Sequence, residues 1–506
     1  IVEDGLLVFQ KHFEKTGEKK LLAQAFDLVE KSKVRTLREG LNENFALAIS
    51  CIPDSVLDLE NNLLADISTL QQRIFEAQNT PDSSFIPRWS ASIFDKKQAL
   101  QNLVRSLETG YPDYFRLKYN DALADASAVQ HQLLDDNTAL LEYFTGDSAI
   151  FIFTMTKDGL TLTQIPMPVD FETTIRLLRQ SLTDNGLRFT GEDANQFIRA
   201  NNNLYEWLLE KPLAGLPSQV KNLLIVPDGM LGYVPFEILG KTTAQVDFKN
   251  YPYLLLKFNI SYAASANLLL EQFRQEEEPG PEELFAGFAP SYNDSDTLGL
   301  LASVRRRELV RDEKYDLPGA AREVQEIAVL LGGKPFLGTD ATEHNFKENA
   351  PRFRILHLAM HSLAEDRNPL FSKLLFTQIP KDSIEDNDLN TAELYNMHLP
   401  ASLVVLSACN TGIGRLYRGE GILSLSRAFT YAGVPATVMS LWQAPDEATR
   451  QVMVSFYKNL KLGMRKDEAL RQAKLAYLAG CKQAVTSPYY WAGFVASGEM
   501  KNLFGK

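Results

Sequence analysis

The sequence predicts an α/β protein with a parallel-rich sheet flanked by helices, preceded by an all-helical region. Three observations predict it. The run Leu403-Val404-Val405-Leu406 is wholly apolar and bounded by polar residues, as suits a strand buried on both faces of a parallel sheet. Two further apolar runs, from Arg354 to His361 and from 436 to 441, flank it in the chain. Before about residue 135 the apolar spacing is helical instead, as in Leu22, Ala25, Phe26, Val29, Val34, Leu37 and Leu41.

Taken in order, residues 21–41 form one amphipathic helical stretch, and 57–78 and 95–108 predict two more helices, joined by a loop at 79–87 into a long antiparallel hairpin. From Thr138 the period changes. Residues 139–145 and 149–156 predict strands, and a third, 160–165, follows the hairpin turn Asp158-Gly159. Helices are expected at 171–182 and 193–209, and an apolar strand at 220–226 before the turn Pro227-Asp228-Gly229. This alternation implies an α/β layer. The acidic segment 276–283, with two prolines and a glycine, reads as a linker or exposed loop. Residues 284–288 then begin a second α/β half. A polar insertion at 291–318 carries Arg305-Arg306-Arg307; it reads as a solvated loop, with self-cleavage as the sharper alternative. Helix 319–331 leads to the strand beginning at Arg354. After 403–406, breakers Asn410, Gly412 and Gly414 precede a helix at 421–431, stopped by Gly433.

The composition bounds the function. The net charge of −12 speaks against a nucleic-acid surface. No apolar run approaches the ~20 residues that span a bilayer. The chain begins with Ile1 rather than Met, so further repeats upstream are expected. Cys51, Cys409 and Cys481 are too scattered for a disulfide framework or a zinc motif, which fits a reducing, cytoplasmic compartment.

Two residues stand out for chemistry. Cys409 falls just past the carboxyl end of a buried strand, the edge where open α/β sheets bind ligands. His361 ends another such strand, 48 residues earlier. A cysteine nucleophile needs a base, and imidazole is the usual one. The bland alternatives are a buried thiol and a core histidine. His357, on the same strand as His361, reads as structural, because Leu358 stands where a zinc-binding helix would carry Glu. The series Asp386, Asp388, Asn390 begins like a calcium loop but has Thr391 and Met397 where Gly and Glu are required. Asn390 with Glu393 fits a helix cap instead. No metal and no cofactor are expected, and neither a G-x-S-x-G elbow nor a P-loop is present.

The stretches LLIVPDGMLGYVPFEIL (223–239), ILHLAMHS (355–362), NPLFSKLLF (368–376), LNTAEL (389–394), LVVLSACNTGIG (403–414), GEGILSLSRAFTYAGVPATVMSLW (419–442), DEATRQVMVSFYKNL (446–460) and SPYYWAGFVASGE (487–499) together resemble the CHAT family. These are caspase-like cysteine peptidases related to separase and often fused to tetratricopeptide repeats. The resemblance implies a caspase-like fold in three parts: a tetratricopeptide-like region at 1–135, an inactive caspase-like half at 136–283 and an active half at 284–506. It implies Cys409 as nucleophile, His361 as base, and the backbone N–H groups of Cys409 and Ser362 as oxyanion donors. Ser362 replaces the glycine usual in the family but still offers its N–H. For substrate binding it points to Asp446, which resembles an acid holding a basic side chain in separase and equally suits a helix N-cap. Ser407 stands where metacaspases carry a specificity Asp, and Trp442 is either a pocket wall or core. The implied function is an endopeptidase acting on protein substrates and controlled by a regulatory protein or ligand at the helical repeats. A bacterial setting in immunity or regulated cell death is implied too. A silent zymogen and a pseudoprotease scaffold stay open beside it.

Overall fold

The computed structural model describes residues 2–42, 85–110, 124–183, 191–243, 247–274, 280–292, 317–363, 372–378, 385–395, 397–407, 421–442 and 444–504, with scattered positions between 56 and 74. Cys409, Cys51, the Arg305 insertion and most of the helix expected at 57–78 lie outside the described residues. The chain divides into two compact units, residues 1–33 with 124–506, and residues 34–123. No described helix is long and apolar enough to cross a membrane.

In the larger unit an eleven-stranded sheet runs through the whole body. It uses β1 (Thr138–Thr145), β2 (Ala149–Thr156), β3 (Gly159–Pro166), β4 (Asn222–Val226), β5 (Asn259–Tyr262), β6 (Glu283–Pro290), β7 (Lys334–Gly338), β8 (Phe353–Leu358), β12 (Leu403–Leu406), β13 (Ala436–Ser440) and β14 (Phe494–Gly498). The order is β3-β2-β1-β4-β5-β14-β13-β12-β8-β6-β7. A separate three-stranded sheet, β11-β10-β9, consists of β9 (Ser362–Leu363), β10 (Lys373–Leu375) and β11 (Asp388–Asn390). The β1–β2 and β2–β3 pairs are antiparallel hairpins, β13 and β14 also pair antiparallel though two helices separate them in the chain, and every other pairing in the large sheet is parallel. The parallel-rich sheet and N-terminal helices expected from the sequence are thus present. Within the edge hairpin, β2 is buried at all but its last position, whereas β3 is buried at none. The central strands β4 and β12 are buried at every position, as continuous apolar runs demand.

Helices cover this sheet. They include α1 (Val2–Thr16), α2 (Lys19–Asn42), α4 (Ala126–Leu133), α5 (Phe171–Thr183), α6 (Gly191–Tyr205), α7 (Ala266–Arg274), α8 (Pro318–Leu331), α9 (Glu343–Asn349), α10 (Thr391–Tyr395), α11 (Gly421–Tyr431), α12 (Asp446–Lys461) and α13 (Lys466–Gly480), while α3 (Ile86–Gly110) belongs to the smaller unit. The N-terminal helices are held to the sheet by both apolar and polar contacts. Leu6, Ala25, Phe26 and Val29 are buried in one cluster with Phe151 and Phe153 of β2, and the Phe26 and Phe153 rings meet edge to face at 5.7 Å. Glu3 accepts hydrogen bonds from the N–H groups of Asp147 and Ser148 in the β1–β2 turn, at 2.8 Å each. The Ser148 hydroxyl also donates to Glu3, and this bond above all holds that carboxyl below its usual range.

Glu30 of α2 is fully buried. It accepts from Ser265 Oγ (2.7 Å), the N–H groups of Ala266 (3.2 Å) and Asn267 (2.7 Å), and Asn267 Nδ2 (2.8 Å). Those N–H groups open α7, where four donors lack intrahelical partners and a negative charge is favoured. Glu142 of β1 is buried nearby with Lys33 Nζ at 3.3 Å. Burial first, and the Glu30 charge second, push the Glu142 carboxyl well above the usual range against the pull of Lys33.

Candidate functional site

The site lies at the carboxyl ends of two neighbouring parallel strands. β8 and β12 pair in register, with Leu403 opposite Ile355 and Leu406 opposite Leu358. β12 is apolar and buried throughout, and β8 buries Phe353, Ile355, Leu356 and Leu358 together with the polar His357. The ladder extends one step further, because Ser407 N–H donates to the Leu358 carbonyl at 3.1 Å. His361 follows Leu358 by three residues, and Cys409 follows Leu406 by three. The edge where these strands end is therefore common to the segment carrying His361 and the segment leading toward Cys409.

His361 is buried, at 8% exposure. It stands where the chain leaves the large sheet and enters the small one. Ala359 N–H still reaches across to Phe288 of β6 (2.9 Å), whereas the His361 carbonyl accepts from Leu375 N–H of β10 (3.0 Å). The His361 N–H donates to the Tyr292 hydroxyl at 3.1 Å, and the two rings pack with centroids 5.0 Å apart. Ser362 is fully buried in β9, opposite Leu374, and its Oγ has no hydrogen-bond partner among the described residues. Tyr292 had no signal in spacing or motif. It lies two residues beyond β6, and its relevance follows only from β6 and β8 being sheet neighbours.

The remaining residues singled out from the sequence take varied places. Ser407 is buried at the end of β12. Trp442 is buried, with Nε1 donating to the Tyr489 carbonyl at 2.9 Å, so its indole is integrated in the packing against residues 487–493. Asp446 is the first residue of α12, whose N-cap is Pro445. Its Oδ2 accepts the Gly319 N–H at 3.1 Å. It thus caps a helix, but that helix is α8 rather than its own. A side chain at Gly319 would collide with the Asp446 Cβ, so glycine permits this close approach.

His357 has the structural role expected of it. Its Nε2 lies 2.8 Å from Glu323 Oε1 of α8 and its Nδ1 lies 3.1 Å from the Tyr457 hydroxyl of α12, all three side chains being buried. Burial, with the Glu323 charge adding to it, pushes the Tyr457 phenol far above its ordinary value. Asn390 and Glu393 form the expected cap: the Asn390 N–H donates to Glu393 Oε2 at 2.9 Å at the start of α10. Glu343, Glu385 and Glu393 converge as a possible cation cluster. Lys347 Nζ sits 2.8, 2.8 and 2.9 Å from them, so a lysine already supplies the positive charge there. Burial pushes the Glu343 carboxyl up to about 7, against the pull of Lys347.

The described fold is a parallel-rich α/β sheet flanked by helices, with His361 three residues past the end of β8. The model of the CHAT domain matches residues 199–499, and the chain belongs to the CHAT domain family. It is 24% identical to human tetratricopeptide repeat protein 28 over 311 residues, and 25% identical to the mouse protein over the same length. Each match covers 55% of this chain and 12% of the relative, so the matched stretch spans about an eighth of the length of those proteins. Two crystal structures of the Saccharomyces cerevisiae separase–securin complex align over 98% of this chain, with a TM-score of 0.45 each. They are 10% and 9% identical to it, and 44% and 47% of their chains are covered.

Proposed function

We propose that this chain is a cysteine endopeptidase in which His361 and Cys409 form the catalytic pair. The observation that carries the reading is the in-register parallel pairing of β8 with β12, which ends both strands three residues before these two side chains. In this reading the His361 imidazole takes the proton from the Cys409 thiol. The thiolate attacks the scissile carbonyl, and the backbone N–H groups of Ser362 and Cys409 donate to the resulting oxyanion. The imidazolium then gives its proton to the leaving amine. Water hydrolyses the thioester, with His361 taking the water's proton and the thiol being restored. No metal or cofactor enters these steps.

A basic residue before the cut is assigned to Asp446, whose Oδ1 is not the oxygen that Gly319 engages. Ser407 and Trp442, both buried, are assigned to the same substrate site only through the family resemblance. The helical segment receives the controlling partner. Its helix α2 continues from the sheet-bound unit into residues 34–123, and the related proteins bear tetratricopeptide repeats in their name. The thiol chemistry fits a cytoplasmic setting.

The test is cleavage of a diverse peptide library by the purified chain, with Cys409→Ala and His361→Ala beside it. Cleavage by the wild type, lost in both variants, is expected. Cleavage surviving Cys409→Ala would overturn the reading.

A further inference from the structure

A base that swaps protons with a thiol must be held. Its ring nitrogen has to sit within hydrogen-bond reach of the sulfur, and a misplacement of about 1 Å can cost ~100-fold in rate. His361 lies at a junction between two sheets, the kind of place where a side chain would be poorly fixed by regular pairing alone. The described residues around it include one side chain that bonds its backbone and faces its ring at once. From the geometry we infer that Tyr292 is a positioning residue for His361, holding the backbone at the sheet junction and bracing one face of the imidazole. The inference rests on the proposed role of His361 as base.

The Tyr292 hydroxyl has one proton to give. It donates it to the Leu375 carbonyl at 2.7 Å and accepts the His361 N–H at 3.1 Å. Its proton is thus committed to β10, and it bridges the two chain segments whose backbones also pair through Leu375 N–H and the His361 carbonyl, at 3.0 Å. This makes it a positioning residue rather than an acid or base. The ring does the second part. Centroids 5.0 Å apart and planes inclined at 46° fall within the range of favourable aromatic packing. A phenol face also favours a cation over a neutral ring, so the contact strengthens when His361 takes the thiol proton. Tyr292 is itself fixed. It is buried among Ala289, Leu317, Ala320, Val324 and Ala359, and the preceding Ser291 N–H donates to Thr377 Oγ1 at 3.1 Å.

The experiment follows alkylation of each cysteine by iodoacetamide against pH, resolved by mass spectrometry, on the full chain. It needs no substrate. In the wild type Cys409 should react with an inflection below the ~8.5 of an unpaired thiol, and His361→Ala should abolish that displacement. Tyr292→Phe keeps the ring and removes the bridge. It should move the inflection up by about one unit, lowering the Cys409 rate at pH 6.5 about tenfold. Tyr292→Ala should move it further. Cys481, which caps the C-terminus of α13 and is only partly exposed, reports folding in the same sample. An undisplaced wild-type inflection would sink the His361 reading itself. A displaced inflection that depends on His361 but is untouched in both Tyr292 variants would overturn this inference alone. So would a Tyr292→Phe chain whose Cys481 becomes as reactive as in urea, because Tyr292 would then be a residue of the core and not of the base.

Discussion

Glu30→Ala tests how the N-terminal helices are tied to the sheet. The Glu30 carboxylate accepts from four groups at 2.7–3.2 Å, two of them the Ala266 and Asn267 N–H groups of the first turn of α7. All are buried, so water does not replace the lost acceptor. Removing the charged member of such a buried set costs about 3–5 kcal/mol. Ser265 Oγ still reaches the Leu268 N–H at 3.3 Å, which keeps part of the cap and favours the lower end. A chain of several units does not unfold in one step, so the local measurement is amide hydrogen exchange of a peptide covering residues 263–270. About 3 kcal/mol corresponds to roughly a 100-fold faster exchange where opening is local. Exchange unchanged within twofold at 263–270, in a variant that remains folded, would refute the claim that α2 holds α7 through this carboxylate.

Three other outcomes are expected. Glu142 has its carboxyl raised chiefly by burial, so the native state holds a proton that the unfolded chain has lost at pH values above about 4.5. Wild-type stability therefore falls as pH rises from there, and Glu142→Gln should lack that fall, so urea midpoints of the two chains should diverge in favour of the variant between pH 5 and 7. Lys474 of α13 lies 3.3 Å from Glu237 Oε1, whose Oε2 accepts the Tyr262 hydroxyl at 2.6 Å, all buried. Lys474→Met should cost about 3–5 kcal/mol, read as faster amide exchange over α13, and adding Glu237→Gln should recover most of it. Asp446→Asn keeps an acceptor for the Gly319 N–H, so stability should stay within about 0.5 kcal/mol, while cleavage after Arg and Lys in the peptide library should fall at least about tenfold, a factor worth about 1.4 kcal/mol.

The sheet was legible where chemistry leaves few choices. The runs at 403–406 and 436–440 are buried at every position, and nothing but a covered strand accommodates such a run. The β2–β3 hairpin was equally plain, but its two-residue turn is Lys157-Asp158 rather than Asp158-Gly159, since Gly159 already pairs with Thr156. Less legible was everything that depends on strand order. The pairing of β5 with β14, which makes one sheet of the segments before and after residue 263, joins strands over 230 residues apart in a chain with no local signal for it. Asp446 illustrates the same limit. Its position before an amphipathic helix suggested a cap for that helix, and the partner is instead Gly319, distant in sequence and brought near by the packing of α8 on α12. For the candidate site, the strand that leads to His361 was readable from its apolar run, although β8 ends three residues earlier, at Leu358. Tyr292 was not, because a tyrosine after Phe-Ala-Pro-Ser has no pattern to distinguish it from any other.

The most direct measurement of the central claim is capture of the nucleophile by a peptide bearing an electrophilic acyloxymethyl ketone, with the modified cysteine located by mass spectrometry. The account predicts a stoichiometric adduct on Cys409 that disappears in His361→Ala. Equal, slow modification of Cys51, Cys409 and Cys481, unchanged by His361→Ala, would contradict it.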